Sequence, residues 1–487
     1  MISYLPDRYR AETTAATLVV FLLGCFAVGV VTVRNTGQGM MLILALFSLV
    51  VYLVKPEAMI AIALVLAFAA LPASLHVGKV VGPGVIYSYQ VALVLAICYL
   101  IPVVRPRFSD FLVPGIFTLA VVFVTVVGFA NGHSAWVVIR ESQTLLEMVG
   151  GFVLGWLVVK GGYLRLATSA TVLILWFSAG MAILGSLRAI RLAGRAEDLP
   201  AAGAGEALRV ILATQTPATA VLTALVAASI IGRVRPALYL ALGPPALIIA
   251  VLSLSRNPLI AFTVAAAVAF LTSVGWSTLF RTIVVTATSA LIVAVTVPGA
   301  LFLLQGSPAG AWLADQLAAF NYRVLGGVST SALAVDESAL DRLREVEHLN
   351  RAIAQAPLFG HGLGYAYQLS YGTDPNDFST KFYPTFSHNF YLWWLAKAGV
   401  AGMAAFALLA LTPLRALRRA SAPARISASV SAGLLAVSAV WPLPELPVDA
   451  MALGLVLGAT MAFAAGPRPD RDAGLVDQAP PLTGAPG

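Results

Sequence analysis

Residues 111–130 read FLVPGIFTLAVVFVTVVGFA, a stretch without one charged side chain. An α-helix needs roughly 20 apolar residues to cross a hydrocarbon core about 30 Å thick. Stretches of this kind recur along most of the chain, which has 487 residues, 59% of them hydrophobic and only 11% charged. This composition excludes a soluble core. The sequence therefore predicts an all-α fold, a polytopic membrane helix bundle.

The apolar stretches predict about 12 to 14 transmembrane helices. The predicted spans are residues 14–33, 38–54, 58–75, 85–104, 111–130, 137–159, 164–186, 210–231, 236–253, 257–275, 280–304, 388–411, 426–442 and 448–465.

These spans divide the chain into four predicted parts. Residues 1–304 hold the first eleven spans, with short loops and one mid-length outer loop at 187–209. Residues 305–387 form a large helical extracytoplasmic loop, expected to be catalytic, and residues 388–466 hold the C-terminal transmembrane helices. Residues 467–487 are rich in Pro, Gly, Asp and Ala, which predicts a disordered cytoplasmic tail.

Lysine and arginine are concentrated in alternate loops of this arrangement, as is typical of cytoplasmic loops. With the N-terminus inside, these loops receive Arg8, Arg10, Lys55, Arg105, Arg107, Lys160, Arg165, Arg233, Arg235, Arg281, Arg415, Arg418, Arg419, Arg425, Arg468 and Arg471. The opposite short loops hold little beyond Arg34, Lys79, Arg140 and Arg256. We therefore expect both termini to be cytoplasmic and both long loops to be extracytoplasmic.

The net charge of +8 would suggest a nucleic-acid partner in a soluble protein. Here most of the basic residues flank membrane spans, where they face anionic lipid headgroups, so we predict membrane lipids and no nucleic acid as partners. Cys25 and Cys98 both lie inside apolar spans. They provide neither a disulfide framework nor the spacing of metal ligands.

Within the outer loop, residues 338–356 place apolar side chains at spacings of three and four among charged ones. This pattern predicts an amphipathic helix, which ends at Pro357. Gly360, Gly362 and Gly364 follow, and glycine permits positive φ angles and close backbone approach. Such a turn can bring amide groups against a ligand, although most such turns are only turns. His361, between the glycines, is interpreted as a turn residue.

The next predicted span begins at His388, so its first turn lies at the outer membrane interface. Imidazole has an ordinary pKa of about 6.5 and accepts a proton at ordinary pH, which makes His388 a candidate general base. An interfacial residue at the end of a helix is the alternative. Tyr391, Trp393 and Trp394 follow and predict an interfacial aromatic belt.

Arg256 lies in a short outer connection between two apolar spans. An arginine at membrane depth is costly, so it usually pairs with another group or serves a substrate. The planar guanidinium offers paired donors that suit phosphate. An arginine that extends to the lipid headgroups is the alternative. Arg140, at the start of the sixth span, is a further candidate with the same two interpretations.

Three motifs in this order resemble the O-antigen ligase and polymerase superfamily, which are bacterial multi-span glycosyltransferases. They are Ser255-Arg256, the segment from Arg342-Leu343-Arg344-Glu345 into Pro357-Leu358-Phe359-Gly360-His361-Gly362-Leu363-Gly364, and His388-Asn389 opening a span that ends Gly399-Val400-Ala401-Gly402. The resemblance covers roughly residues 210–412. Family members commonly have about twelve spans, slightly fewer than the number predicted here.

The resemblance implies transfer of a glycan from a polyprenyl diphosphate carrier, such as undecaprenyl diphosphate, to a sugar hydroxyl on a glycan or glycolipid acceptor. It implies the outer face of a bacterial cytoplasmic (inner) membrane and neither metal nor cofactor. By resemblance, Arg256 and Arg342 bind the diphosphate and His388 is the general base of an inverting reaction. The other residues expected to contact substrate are Arg344, Glu345, Gly360, Gly362, Gly364, Asn389, Tyr391 and Arg140.

Two other classes of protein are compatible with the same sequence. A transporter or flippase for a lipid-linked glycan would use the outer loop as a gate, but transporters often show internal repeats and mid-membrane ionisable pairs, and no clear repeat is visible. A non-catalytic scaffold for envelope assembly would use the amphipathic helix as a docking surface. The motifs do not separate a ligase, which adds once to each acceptor, from a polymerase.

Overall fold

The computed structural model describes residues 29, 36–72, 78–81, 84–190, 192–193, 195–198, 207–232, 236–326, 337–369, 383–419 and 421–465. The predicted first span at 14–33 and the predicted tail at 467–487 lie outside the described residues, apart from residue 29.

The described part of the chain is a bundle of α-helices. In chain order they are α1 (Thr36–Val54), α2 (Ala58–Phe68), α3 (Ser88–Val104), α4 (Leu112–Ala130), α5 (Ala135–Lys160), α6 (Leu164–Ser186), α7 (Gln215–Ile231), α8 (Pro236–Leu252), α9 (Asn257–Leu271), α10 (Trp276–Leu303), α11 (Pro308–Phe320), α12 (Glu337–Gln355), α13 (Phe390–Leu411), α14 (Ala422–Val437) and α15 (Pro447–Ala464). A π-helical turn spans Asn321–Leu325, and short 3-10 turns span Phe108–Phe111, Pro413–Arg418 and Leu443–Glu445.

Strands occur in the described residues only as two short antiparallel hairpins. One pairs β1 (Gly78–Val81) with β2 (Gly84–Tyr87), and the other pairs β3 (Arg195–Asp198) with β4 (Leu208–Ile211). The second hairpin falls at and just beyond the mid-length loop that the sequence predicts.

The predicted all-α membrane bundle is confirmed. Each predicted span within the described residues overlaps a helix, although α2 ends at Phe68 and the spans at 85–104 and 210–231 begin in β2 and β4. Among the described residues, five helices are long and apolar enough to cross a membrane: Phe108–Ala130, Ala135–Lys160, Leu164–Ser186, Phe390–Arg418 and Pro447–Ala464. Eight further apolar helices are shorter. The chain is an integral membrane protein.

Helices α5 and α15 pack closely because glycine lets their backbones meet. A Cβ on Gly151 or Gly155 of α5, or on Gly454 or Gly458 of α15, would overlap a backbone carbonyl of the facing helix. Beside this pair, α4, α13 and α14 enclose an aromatic core that contains Phe117, Phe390, Trp393, Trp394 and Phe406. This core fixes the start of α13, which is where the candidate site lies.

The outer-loop segments pack against one end of the bundle, called here the loop end. Helix α12 lies along the first half of α13, where Leu349 and Ala352 contact Ala396. The turn that follows α12 enters the bundle and contacts α4, α5 and α13. At Gly399, φ is 63°, so α13 is kinked where this turn meets it.

Candidate active site

His388 immediately precedes α13 and is positioned by its cap. The Asn389 side chain accepts hydrogen bonds from the amides of Tyr391 at 3.1 Å and Leu392 at 3.2 Å, which satisfies two donors at the start of the helix. The amide of Phe390 donates to the Ser438 carbonyl at the end of α14, at 3.1 Å. The chain around His388 is therefore held at both sides. Asn389, predicted to contact substrate, is occupied as a helix cap.

Glu345 on α12 is the partner of His388. Its carboxylate oxygens lie 2.9 Å from Nδ1 of the imidazole and 3.1 Å from the backbone nitrogen of His388. Glu345 is only 2% exposed, whereas the His388 side chain is 26% exposed. A carboxylate only accepts hydrogen bonds, so the proton is assigned to Nδ1 and the lone pair to Nε2. This arrangement leaves Nε2 as the basic nitrogen.

Two arginines of α12 flank this pair in the sequence. Arg342 precedes Glu345 by three residues, which is nearly one helical turn, and its side chain is exposed. Arg344 is also exposed and lies 3.1 Å from Asp341. Arg342 therefore lies about one turn of α12 away from Glu345, the partner of His388. Arg344 forms a solvent-facing pair with its neighbour.

Arg256 caps the start of α9 and contacts the outer-loop region. Its Nε donates to the backbone carbonyl of Arg323, in the π-helical turn, at 2.9 Å. Leu254, two residues before the arginine, has a φ of 44°, which bends the chain sharply ahead of α9. The guanidinium is half-buried between the membrane helices and the loop segment.

The packing of α9 on α14 places Arg256 and His388 at the same end of the bundle. Gly433 of α14 meets the backbone of Ala261 on the antiparallel α9. Arg256 lies five residues before Ala261, and Ser438 lies five residues after Gly433. Because the two helices are antiparallel, both residues are displaced by roughly 7.5 Å from this contact toward the loop end. Because Ser438 bonds the first residue of α13, Arg256 lies level with His388.

The predicted glycine turn enters the bundle and uses its amides within the protein. Gly360, Gly362 and Gly364 have positive φ angles of 68°, 88° and 79°. The Gly362 amide donates to the Lys397 carbonyl at 2.9 Å, and the Gly364 amide donates to Glu141 at 2.7 Å. A Cβ at Gly360 would overlap the backbone of α13. Substrate contact by these glycines stays a prediction, since their amides already bond protein groups.

His361, within this turn, has its ring occupied. Its Nε2 lies 2.9 Å from the Ala352 carbonyl of α12, and its ring stacks on Tyr365 at 4.0 Å between centroids. These contacts agree with the interpretation of His361 as a turn residue.

A buried ion pair that the sequence analysis missed anchors the turn. Lys397 of α13 is fully buried, and its Nζ lies 2.5 Å from Glu141 of α5. The other oxygen of Glu141 accepts the Gly364 amide. Lys397 is about 10 Å below the start of α13. The sequence signal that could have indicated this pair is the presence of ionisable residues within predicted membrane spans, because such residues rarely occur without a partner or a function.

Arg140 lines a small cleft beside His388, together with Glu141, Thr385, Phe386, Trp393 and Glu445. Glu445 accepts a hydrogen bond from the Ser387 amide at 3.3 Å, and its Oε1 is closed to solvent and has no hydrogen-bond partner among the described residues. Burial raises the pKa of Glu445 well above its ordinary value.

The aromatic residues at the start of α13 lie in the core. Trp393 and Trp394 are 1% and 0% exposed, because both pack into the aromatic core that α4, α13 and α14 enclose. The prediction that they form an interfacial belt is wrong. Tyr391 is half-buried, and its hydroxyl donates to the Leu435 carbonyl of α14 at 2.6 Å. Its predicted contact with substrate stays a prediction.

Within the ranges that the structure describes, no group of three or more His, Cys, Asp or Glu side chains is placed to hold a metal ion. Residues 245–407 match the family model described as O-antigen ligase. The match includes Arg256, Arg342, Glu345, the glycine turn and His388; Arg140 and Glu445 lie outside it. No curated protein matches the chain.

Proposed function

Because residues 245–407 carry the O-antigen ligase domain, the chain belongs to the O-antigen ligase superfamily of membrane glycosyltransferases, and we propose that it transfers a glycan from a polyprenyl diphosphate carrier to a sugar hydroxyl. The observation that carries this proposal is the pairing of His388 with buried Glu345 at the loop end, level with Arg256. The loop end then faces the extracytoplasmic side of a bacterial inner membrane, with both termini cytoplasmic.

His388 is proposed as the general base. Its Nδ1 bonds Glu345, so Nε2 is the nitrogen that accepts a proton from the acceptor hydroxyl. As that proton moves, the hydroxyl oxygen forms a bond to the anomeric carbon. The bond from this carbon to the diphosphate oxygen breaks, and its electron pair leaves with the diphosphate. Attack on the face opposite the leaving group inverts the anomeric configuration.

Arg256 and Arg342 are proposed to bind the diphosphate. Negative charge grows on the leaving diphosphate as the anomeric bond breaks, and guanidinium groups stabilise such charge through paired donors. Arg256 approaches from the membrane helices and Arg342 from α12, so the two lie on different elements that meet at the loop end.

Glu345 is proposed as a positioning residue, not a substrate contact. Both of its bonds to His388 are made by a carboxylate that is 2% exposed, which leaves it little surface for a ligand. A buried carboxylate on Nδ1 holds the imidazole in one tautomer and stabilises the imidazolium that forms during transfer. The predicted substrate contact of Glu345 is thus replaced by a role through His388.

The purified protein, reconstituted with lipid-linked oligosaccharides extracted from its source cells and a panel of octyl glycosides, tests the proposal. His388→Ala is expected to abolish transfer, and Arg256→Lys to impair it strongly, because lysine keeps the charge but loses the bidentate fork. Full activity of either variant would contradict the assigned roles. Chain-length analysis distinguishes a ligase, which gives one addition to each acceptor, from a polymerase, which gives a ladder.

The same variants separate the enzyme from a transporter or a scaffold. An enzyme loses transfer in His388→Ala while flipping of a fluorescent carrier lipid in vesicles is unchanged. A flippase would show carrier movement in the wild type and no covalent transfer to any octyl glycoside. A wild-type protein that transfers nothing from the extracted donors would overturn the proposed function as a whole.

A further inference from the structure

The structure assigns the cleft lined by Arg140, Phe386 and Glu445 as the seat of a neutral, hydroxyl-bearing group of the acceptor sugar. This acceptor subsite rests on the proposed glycan transfer. It adds Glu445 to the site and gives Arg140, already a predicted substrate contact, a place in it.

The cleft is adjacent to the proposed base. Phe386 forms one of its walls, and the Phe386 ring packs edge-on against the His388 ring with 5.2 Å between centroids. Glu445, on another wall, accepts from the amide of Ser387, which precedes the base in sequence. A group seated in the cleft is therefore about one aromatic ring away from the imidazole. A hydroxyl on the same or the next sugar can reach Nε2.

The groups that line the cleft select against ions. Glu141 presents a carboxylate, which disfavours a diphosphate there. Arg140 presents a guanidinium, so a cationic ligand is disfavoured too. Donors, acceptors and two aromatic side chains together match a neutral polyol, which both donates and accepts hydrogen bonds and has apolar C–H faces.

Glu445 supplies the unfilled hydrogen-bonding position. Its Oε1 is closed to solvent and has no hydrogen-bond partner among the residues described, although buried polar atoms are nearly always paired. Burial also raises the pKa of Glu445, which favours the neutral acid and gives it a proton to donate. Once the carboxyl group rotates toward the cleft, a sugar hydroxyl satisfies either form, as acceptor from the acid or as donor to the carboxylate.

The size of the cleft limits what enters it. The space open to the centre of a water molecule is about 20 Å³, enough for one or two waters. A hydroxyl or hydroxymethyl group has this size, whereas a whole sugar ring does not. The sugar ring therefore remains at the mouth of the cleft, and the cleft binds one substituent of that ring.

The test measures donor and acceptor dependence separately in the reconstituted protein. Arg140→Met keeps an unbranched stem against Trp136 but removes the guanidinium, and Glu445→Leu removes the carboxyl group. Each is expected to raise the KM for the octyl glycoside that the wild type uses by roughly threefold to tenfold, the cost of one lost hydrogen bond. The KM for the lipid-linked donor stays unchanged, and Glu445→Gln, which can still donate and accept, keeps most of the affinity.

Glu347→Gln is the matched control, since Glu347 is an exposed residue that pairs with Arg351 on the outer face of α12. An unchanged acceptor KM in both Arg140→Met and Glu445→Leu would overturn the subsite while leaving the proposed transfer intact. An equal rise in the donor KM would also overturn it, because that result assigns the cleft to the carrier. If Glu445→Leu fails to fold, Arg140→Met alone decides.

Discussion

Replacing Glu345 by Gln tests the contribution of the negative charge that faces Nδ1 of His388. The amide keeps the size of the carboxylate and can still accept a hydrogen bond, but it no longer faces the imidazole with a negative charge. The 2.9 Å contact from Nδ1 to Glu345 becomes charge-assisted when His388 takes a proton, and hydrogen bonds to charged groups are worth roughly 1.5–3 kcal/mol. If the imidazolium develops in the transition state, this range corresponds to a roughly 10- to 150-fold loss in kcat.

The assay is single-addition transfer from extracted lipid-linked oligosaccharide to an octyl glycoside, with kcat and both KM values measured separately. Loss of an interaction made only in the transition state lowers kcat and leaves the KM values nearly unchanged. Glu347→Gln, two residues along the same helix and exposed, is expected to keep wild-type kinetics. Thermal unfolding of each variant in detergent controls for misfolding.

The decisive measurement places Glu345→Gln in the His388→Ala background. A residue that acts only through the imidazole has nothing left to act on, so the second substitution is expected to cause no further loss of residual transfer. A further tenfold loss in the double variant would refute the positioning role and return Glu345 to direct contact with substrate. A single Glu345→Gln variant with full kcat would refute it equally.

Three further predictions concern the surroundings of the site. Lys397→Met leaves Glu141 as an unpaired buried charge and is expected to lower the free energy of unfolding by about 3–5 kcal/mol, measured by denaturation in detergent. Adding Glu141→Gln should recover part of that loss; no recovery would show that the ion pair is not the cause. Gly360→Ala forces a positive φ on a residue with a Cβ, and that Cβ overlaps the backbone of α13. We therefore expect a lower kcat and a lower unfolding temperature, neither of which is expected for an alanine substitution at an exposed residue of α12. Folding raises the pKa of Glu445, which faces Lys397, Glu141 and Glu345, so the folded state holds a proton that the unfolded chain releases above the ordinary value of 4.5. Glu445 therefore contributes stability on the acid side that is lost as pH rises through the raised pKa. Glu445→Gln is expected to flatten the decline in unfolding temperature as pH rises above 4.5, and an unchanged slope would contradict the protonated carboxyl.

The helices were predictable because hydrocarbon imposes a length on every span. Each span depends on a run of neighbouring residues, so composition in a window of about 20 is enough to find it. The amphipathic helix α12 was predictable for the same reason, since the spacing of its apolar residues is visible within a short stretch of sequence. Where a helix begins and ends depends on caps such as Asn389, which explains the shift of α13 from the predicted His388 to Phe390.

The site was predictable only in its separate parts. Sequence chemistry identified His388 as a candidate base and Arg256 as a candidate for phosphate binding, and the family resemblance added Arg342. The partner of His388 lies 43 residues away, on a helix with several charged side chains, and only packing shows that Glu345 is the buried one. Packing between helices also buries Trp393 and Trp394, in the aromatic core. The rule that places aromatic residues at membrane interfaces therefore predicted the wrong environment for them.

The glycine turn explains how a loop can hold a base steady at a membrane surface. Non-helical backbone at membrane depth is tolerated only where protein groups or water satisfy its amides, and here the Gly362 and Gly364 amides bond Lys397 and Glu141. Lys397 belongs to α13, whose first turn fixes His388, and the turn continues directly from α12, which carries Glu345. The turn therefore joins the base to its partner through two rigid helices. Because this link fixes the position of the base, its disruption should lower kcat before it changes donor affinity.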